Sequence, residues 1–339
     1  MSELTGHLID GFGRVVTDLR VSLIDKCNLR CTYCMPAEGL PWLRPNELLT
    51  DEEMVRLVRV AVGLGVRTIR LTGGEPLVRA SVPELIARLT ALSPRPELSA
   101  TTNGLLLARQ AKALARAGLD RVNVSLDTLR PDRFAALTRR DRHHDVVAGL
   151  RAAADAGLTP VKVNSVLMRG VNDDEAVALL SWCLERGYQL RFIEQMPLDP
   201  QHGWDRAEMV TADEILAALR AEYELAADPT RGSAPAEVFR VLAGPGLPAG
   251  TTARVGVIAS VTRPFCASCD RMRLTADGQL RNCLFAREES DLRTPLRSGA
   301  SDQQLAERMM AAIAGKRAGH GIGEPDFVQP ARPMSAIGG

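Results

Sequence analysis

Short β-branched runs mark six segments, at 17–24, 67–72, 97–101, 121–126, 160–167 and 189–195, and predict six strands. Amphipathic stretches at 51–64, 83–92, 105–117, 131–156 and 174–187 lie between them and predict helices, the fourth of them broken. Thr50 with Glu53, and Asn172 with Glu175, have capping-box spacing at two of the helix starts. Alternating β/α units of this kind predict a parallel sheet, either doubly wound or curled into a barrel.

Buried parallel strands normally read as continuous apolar runs. Four of these do not. Arg20 and Ser22 alternate with Leu19, Val21 and Leu23, and Arg70 and Thr72 with Ile69 and Leu71. Asn123 and Ser125 alternate with Val122 and Val124, and Lys162 and Asn164 with Val161 and Val163. Each polar pair falls on one face, which leaves the apolar face to the helices. On a single strand this pattern is a solvated face. On four strands with helices outside, it predicts a wet, ligand-sized lumen. Unpaired buried cations are costly, and few carboxylates share the face with Arg20, Arg70 and Lys162. The expected occupant is an anion, and a phosphate-bearing substrate fits.

After Met196 the alternation stops. Residues 197–207 and 228–252 are rich in Pro, Gly and Asp and read as loops. A helix at 211–222 begins at a Thr211/Glu214 box, a strand at 254–261 leads into a cysteine-bearing segment, and a hairpin turns at Asp277-Gly278. A helix near 301–314 follows Ser301, and the Gly/Pro-rich tail from Gly315 onward has no core pattern. The expected organisation is a leader at 1–14, a β/α domain at 15–200, a C-terminal region at 201–315 and a tail at 316–339.

Composition narrows the function classes. The 339 residues are 45% hydrophobic and 24% charged, an ordinary globular mix. A net charge of +1 gives no bulk attraction for nucleic acid or an anionic bilayer, and no run of eighteen apolar residues predicts a membrane span. The start has no signal-like pattern. Seven cysteines, an odd number, then argue for reduced thiols in the cytoplasm and for metal or redox chemistry.

Six of the seven form two trios. Cys27, Cys31 and Cys34 are spaced C-x3-C-x2-C directly after the first strand, and Cys266 and Cys269 are joined by Cys283 on the returning arm of the hairpin. Zinc normally asks for a fourth Cys or His, and none lies near either trio in sequence. Three thiolates on a cubane leave one iron with an open coordination position, which is a reaction site. On spacing alone, the second trio also admits a zinc-like or purely structural site. Cys183 reads as a small core residue. Four further motifs, Gly73-Gly74-Glu75-Pro76, Thr101-Thr102-Asn103-Gly104, Ser125-Leu126-Asp127 and Met196-Pro197, sit at or just beyond strand C-terminal ends. That is where β/α folds build active sites.

The first trio, with an aromatic before its last cysteine, resembles the signature of the radical S-adenosylmethionine (SAM) superfamily. CNLRCTYCMP, IRLTGGEP, TTNG, VSLD, FIEQMPLD, the FCASCDRMRLTADGQLRNCLF hairpin and the terminal Gly338-Gly339 together resemble the GTP 3′,8-cyclase family of molybdenum-cofactor biosynthesis. The resemblance runs from about Val15 to the last residue. It implies an α/β fold, an incomplete six-unit parallel β/α barrel, with a C-terminal extension carrying a second iron–sulfur cluster. It implies one 4Fe–4S cluster on Cys27, Cys31 and Cys34 and another on Cys266, Cys269 and Cys283. SAM contacts are expected at Tyr33, Gly74, Ser125 and Met196. GTP contacts are expected at Arg20, Arg70, Thr101, Lys162, Arg271, Met272 and Arg273, although on spacing alone Arg271 and Arg273 read as solvated hairpin charges. The Gly338-Gly339 end is expected to enter the active site. Implied partners are a flavodoxin- or ferredoxin-type reductant, a downstream cyclic pyranopterin monophosphate synthase and a second copy in a homodimer. Two other readings fit less well. The cationic lumen counts against a radical SAM enzyme acting on a peptide, and the open coordination site against a non-catalytic electron carrier.

Overall fold

The computed structural model describes residues 6–338. Six β/α units follow one another as expected. Their strands are β1 (Asp18–Ser22), β2 (Thr68–Thr72), β3 (Glu97–Thr102), β4 (Arg121–Ser125), β5 (Lys162–Val166) and β6 (Gln189–Ile193). The helices between and after them are α1 (Asp51–Gly63), α2 (Val82–Thr90), α3 (Leu107–Ala117), α4 (Pro131–Thr138), α5 (His143–Asp155), α6 (Ala176–Leu184) and, after β6, α7 (Ala212–Arg220). The break in 131–156 falls at the left-handed Arg139, directly after α4. Three more strands follow α7: β7 (Glu224–Ala227), β8 (Glu237–Ala243) and β9 (Ala253–Ile258). The chain then forms β10 (Arg271–Leu274), β11 (Gln279–Arg281), β12 (Ser290–Asp291), α8 (Arg293–Arg297), α9 (Asp302–Ala314) and the one-turn α10 (Met334–Ile337).

All twelve strands belong to one sheet, in the order β12-β11-β10-β1-β2-β3-β4-β5-β6-β9-β8-β7. The run from β10 through β1–β6 to β9 is parallel, and antiparallel pairs finish both ends. The sheet is mostly parallel and open, with edges at β12 and β7. It is also strongly curved. Seven steps of about 4.8 Å would set β10 roughly 34 Å from β9 if the sheet were flat. Yet Arg271 of β10 and Ile258 of β9 line the same cavity. The strands' other faces carry Leu19, Val21, Ile69, Leu71, Val163 and Phe192, all buried in one core that α1–α7 and α9 complete.

Three local expectations need correction. Residues 228–252 are not all loop, because β8 lies within them: Phe239 and Val241 alternate inward, and the flanking Pro and Gly mask that short period. Thr50/Glu53 and Thr211/Glu214 form complete capping boxes, but Asn172/Glu175 does not. Asn172 instead donates its side-chain amide to the carbonyls of Asp127 and Val166, and Glu175 accepts from Thr128 and Arg133. The tail does have buried positions. Ile322 and Ile337 join Leu198, Met209, Val261 and Phe285 in a second apolar cluster, which fastens the tail beneath the hairpin and the loop after β6. Residues 6–14 also pack, with Leu8 buried and Asp10 paired to Arg14.

Candidate active site

The first thiol trio is framed by the motifs at the strand ends. Gly73 and Gly74 let the turn after β2 lie directly on the chain leading to Cys27. A Cβ at Gly73, whose φ is +147°, would stand 2.3 Å from the Ile24 carbonyl oxygen, and one at Gly74 the same distance from that of Asp25. No side chain fits there. The amides of Gly74 and Glu75 donate to Ile24 and Lys26. Glu75 itself is buried, and its carboxylate accepts from Thr102 and Asn103, both in the TTNG motif. Burial pushes that carboxyl up to about 7 against those hydrogen bonds. The Asn103 amide reaches Asn28, next to Cys27, at 2.7 Å. On the far side of the loop the Tyr33 hydroxyl donates to Asp127 at 2.7 Å, which links the trio to the end of β4. Burial pushes the Cys31 thiol well up and that of Cys34 to about 12.

The lumen beyond is lined by cations. Strand register sets Arg273, Arg20 and Arg70 side by side on β10, β1 and β2, with Ser99 of β3 next in the row. Burial, reinforced by Arg70, pushes Arg20 down to about 9; Arg70 falls to about 10 and Arg273 well below its usual range. Asp18 is the carboxylate whose charge reaches Arg20 and Arg70. Arg20 Nε, Arg271 Nη2, Ser22 Oγ and Asn164 Oδ1 are buried with no hydrogen-bond partner among the described residues. Such groups are expensive to leave unpaired; the two guanidinium nitrogens and the Ser22 hydroxyl can donate to an anion, whereas Asn164 Oδ1 accepts and asks for a donor such as a hydroxyl.

The second trio opens onto the same space. Cys266, Cys269 and Cys283 line a cavity of about 1010 Å³, partly open to solvent, whose other walls include Arg20, Arg70 and Thr101. Burial alone would raise the Cys269 thiol, but Arg271 and Lys316 beside it bring it down to about 7. Both trios are free thiols. Among the described residues no three His, Cys, Asp or Glu side chains close on a point that could hold a single metal ion. Three thiols without a carboxylate among them are the donor chemistry that iron–sulfur clusters use.

The structure gathers part of the residues singled out by sequence around one cavity. Tyr33, Gly74, Ser125 and Met196 all stand at or after strand C-terminal ends. Thr101, Met196, Arg271 and Arg273 line the cavity that the second trio opens onto. Lys162 does not. It opens into an adjoining cavity that shares Arg191 with the first. Met272 points its side chain into the core, between two arginines that point the other way. The Arg273 guanidinium donates to the Gly338 carbonyl, which brings the tail to the lumen; Gly339 lies outside the described residues. Sequence reasoning missed Arg191, although Leu190-Arg191-Phe192 alternates as the other four strands do.

Comparison with known proteins decides the family. The chain is 64% identical to GTP 3′,8-cyclase of Streptomyces coelicolor over 98% of this chain and 96% of that one. The chain belongs to the GTP 3′,8-cyclase family. It is also 59% identical to GTP 3′,8-cyclase 2 of Mycobacterium tuberculosis, over 99% of this chain and 93% of that protein. A radical SAM superfamily model matches residues 21–183, and one for Molybdenum Cofactor Synthesis C matches 188–322. Radical SAM membership brings a 4Fe–4S cluster and SAM as cofactors. The crystal structure of Streptococcus suis SuiB bound to S-adenosylmethionine shares the fold, at 14% identity and a TM-score of 0.59, covering 90% of this chain and 69% of that one. No helix of the described residues is long and apolar enough to cross a membrane.

Proposed function

We propose that this chain converts GTP to 3′,8-cyclo-7,8-dihydro-GTP, the first step of molybdenum-cofactor biosynthesis, inside a six-unit partial barrel with two 4Fe–4S clusters. Cys27, Cys31 and Cys34 hold the first, and Cys266, Cys269 and Cys283 the second. With SAM and the first cluster bound, reductive cleavage of SAM would supply a 5′-deoxyadenosyl radical to take the ribose 3′ hydrogen; bond formation from the 3′ carbon to guanine C8 would leave the unpaired electron on the base, and one further electron and a proton would give the dihydro product. Tyr33, Gly74, Ser125 and Met196 seat SAM. Arg20, Arg70, Thr101 and Lys162 seat the triphosphate with Arg191 and the Arg271–Arg273 segment, while the second trio faces the base. The observation that carries this reading is the single cavity running from the arginine row to Cys266, Cys269 and Cys283. A nucleotide bound across it has its anionic end on the arginines and its base at the thiols.

The tail completes the site. At Gly338 a Cβ would stand 2.3 Å from Thr72 Oγ1, so only glycine fits between β2 and Arg273. A flavodoxin- or ferredoxin-type protein delivers the electron, cyclic pyranopterin monophosphate synthase takes the product, and the chain works in the cytoplasm as a homodimer. The test is anaerobic reconstitution followed by SAM, dithionite and GTP. The reading requires 5′-deoxyadenosine together with a cyclised guanosine nucleotide; 5′-deoxyadenosine without that nucleotide refutes it.

A further inference from the structure

Lys316 stands just past the C-terminus of α9, its amide donating to the Ile313 carbonyl at 2.9 Å. Its side chain folds back toward the second thiol trio and is only 4% exposed. The ammonium has three donors, and three acceptors receive them: the carbonyls of Arg271 at 2.7 Å and Cys269 at 3.1 Å, and the Cys269 sulfur at 3.4 Å. Among the described residues Lys316 has no carboxylate partner. Arg14 provides the contrast: it donates to the Cys266 carbonyl from the other side, but its charge is matched by Asp10. A buried cation needs a counter-charge. Of the three acceptors of Lys316, only the sulfur can carry one.

We infer that Lys316 is a positioning residue for the second cluster, holding the Cys269 sulfur through a charge-assisted N–H···S contact and supplying, together with Arg271 on the cavity side, positive charge that offsets the thiolates. This rests on the reading that Cys266, Cys269 and Cys283 hold a 4Fe–4S cluster. Net charge and hydrogen bonds to sulfur are among the main determinants of a cluster's reduction potential. Removing both should make the second cluster harder to reduce, a change that a merely structural lysine would not cause.

The experiment uses the full-length chain with Cys31→Ala, so that the second trio is the complete one, reconstituted anaerobically and titrated redox-potentiometrically by electron paramagnetic resonance. Adding Lys316→Met should leave about four irons and shift the midpoint to a more negative potential, while Lys316→Arg stays near the parent. Loss of the cluster from a folded Lys316→Met protein, with Lys316→Arg retaining it, supports the same role. An unshifted potential in Lys316→Met with its irons in place overturns it. Should Lys316→Met fail to fold by circular dichroism, Lys316→Gln keeps donors for the carbonyls without the charge, and an unshifted potential there overturns the inference equally. A Cys31→Ala parent that takes up no iron at the second trio refutes the two-cluster reading itself, before Lys316 is tested.

Discussion

The Thr102 hydroxyl donates to the Glu75 carboxylate at 2.7 Å, and this bond joins the glycine turn after β2 to the end of β3, beside the first trio. Glu75 is buried, and its carboxyl titrates near 7 rather than its ordinary 4.5. The native state therefore holds a proton that the unfolded chain releases near pH 4.5. By linkage the contribution of Glu75 to stability is fully present below pH 4.5 and is lost as pH rises to about 7. Glu75→Gln lacks this titration. Urea denaturation at pH 5, 6 and 8 should show the wild-type advantage over Glu75→Gln shrinking with pH; a constant difference would contradict the role assigned to burial.

Gly74→Ala tests the frame of the first trio. The added methyl meets backbone at Asp25 and Lys26, where only a shift of the Cys27 loop relieves it. The expected result is loss of about four irons from the first trio, with the second retained and the circular dichroism unchanged. Full iron content in this variant would mean that the loop is less constrained than its contacts require.

The anion socket predicts a selective loss of affinity. Neutralising Arg20 or Arg70 removes a charge-assisted contact worth about 1.5–3 kcal/mol, roughly 10- to 150-fold in binding. The loss should fall on GTP and spare guanosine. Equal losses for both, measured by calorimetry, would return these arginines to a general structural role.

Lys162 gives a pH signature. Burial and the nearby Arg191 push its ammonium down to about 7, so above that pH the free protein holds it mostly neutral. A bound triphosphate favours the charged form, so GTP binding should take up protons between about pH 7 and 9. Lys162→Met should abolish the uptake. Calorimetry in buffers of different ionisation enthalpy reads it directly.

Much of this was legible in the sequence because two periodicities and two cysteine spacings are strong signals. The alternation of Arg20, Arg70 and Lys162 with Val, Ile and Leu marked an inward polar face before any geometry was known. How far the sheet curves was not legible, although the four polar faces already implied a lumen. It depends on β9 and β10 pairing in parallel with β6 and β1, the first across about 65 residues and the second across about 250, and such pairing leaves no local trace. Met272 shows the limit of reading by segment: it shares a stretch with Arg271 and Arg273, but the strand's own period turns it into the core. The tail was missed for a related reason. Its buried positions, Ile322 and Ile337, are too few and too widely spaced among Gly and Pro to form a pattern, and they become core only against Phe285 and Leu198.

The claim at the centre of this account is that the first trio drives SAM cleavage while the second places the substrate. Cys31→Ala should abolish 5′-deoxyadenosine formation with or without GTP. The more direct measurement is the ratio of cyclised nucleotide to 5′-deoxyadenosine made by Cys283→Ala, with first-trio iron and circular dichroism checked on the same sample. Misplacing a reacting centre by about 1 Å can cost some two orders of magnitude. The folded variant should therefore still cleave SAM while the ratio falls about a hundredfold or more; a ratio near the wild-type value would contradict the assignment of the second trio to the substrate.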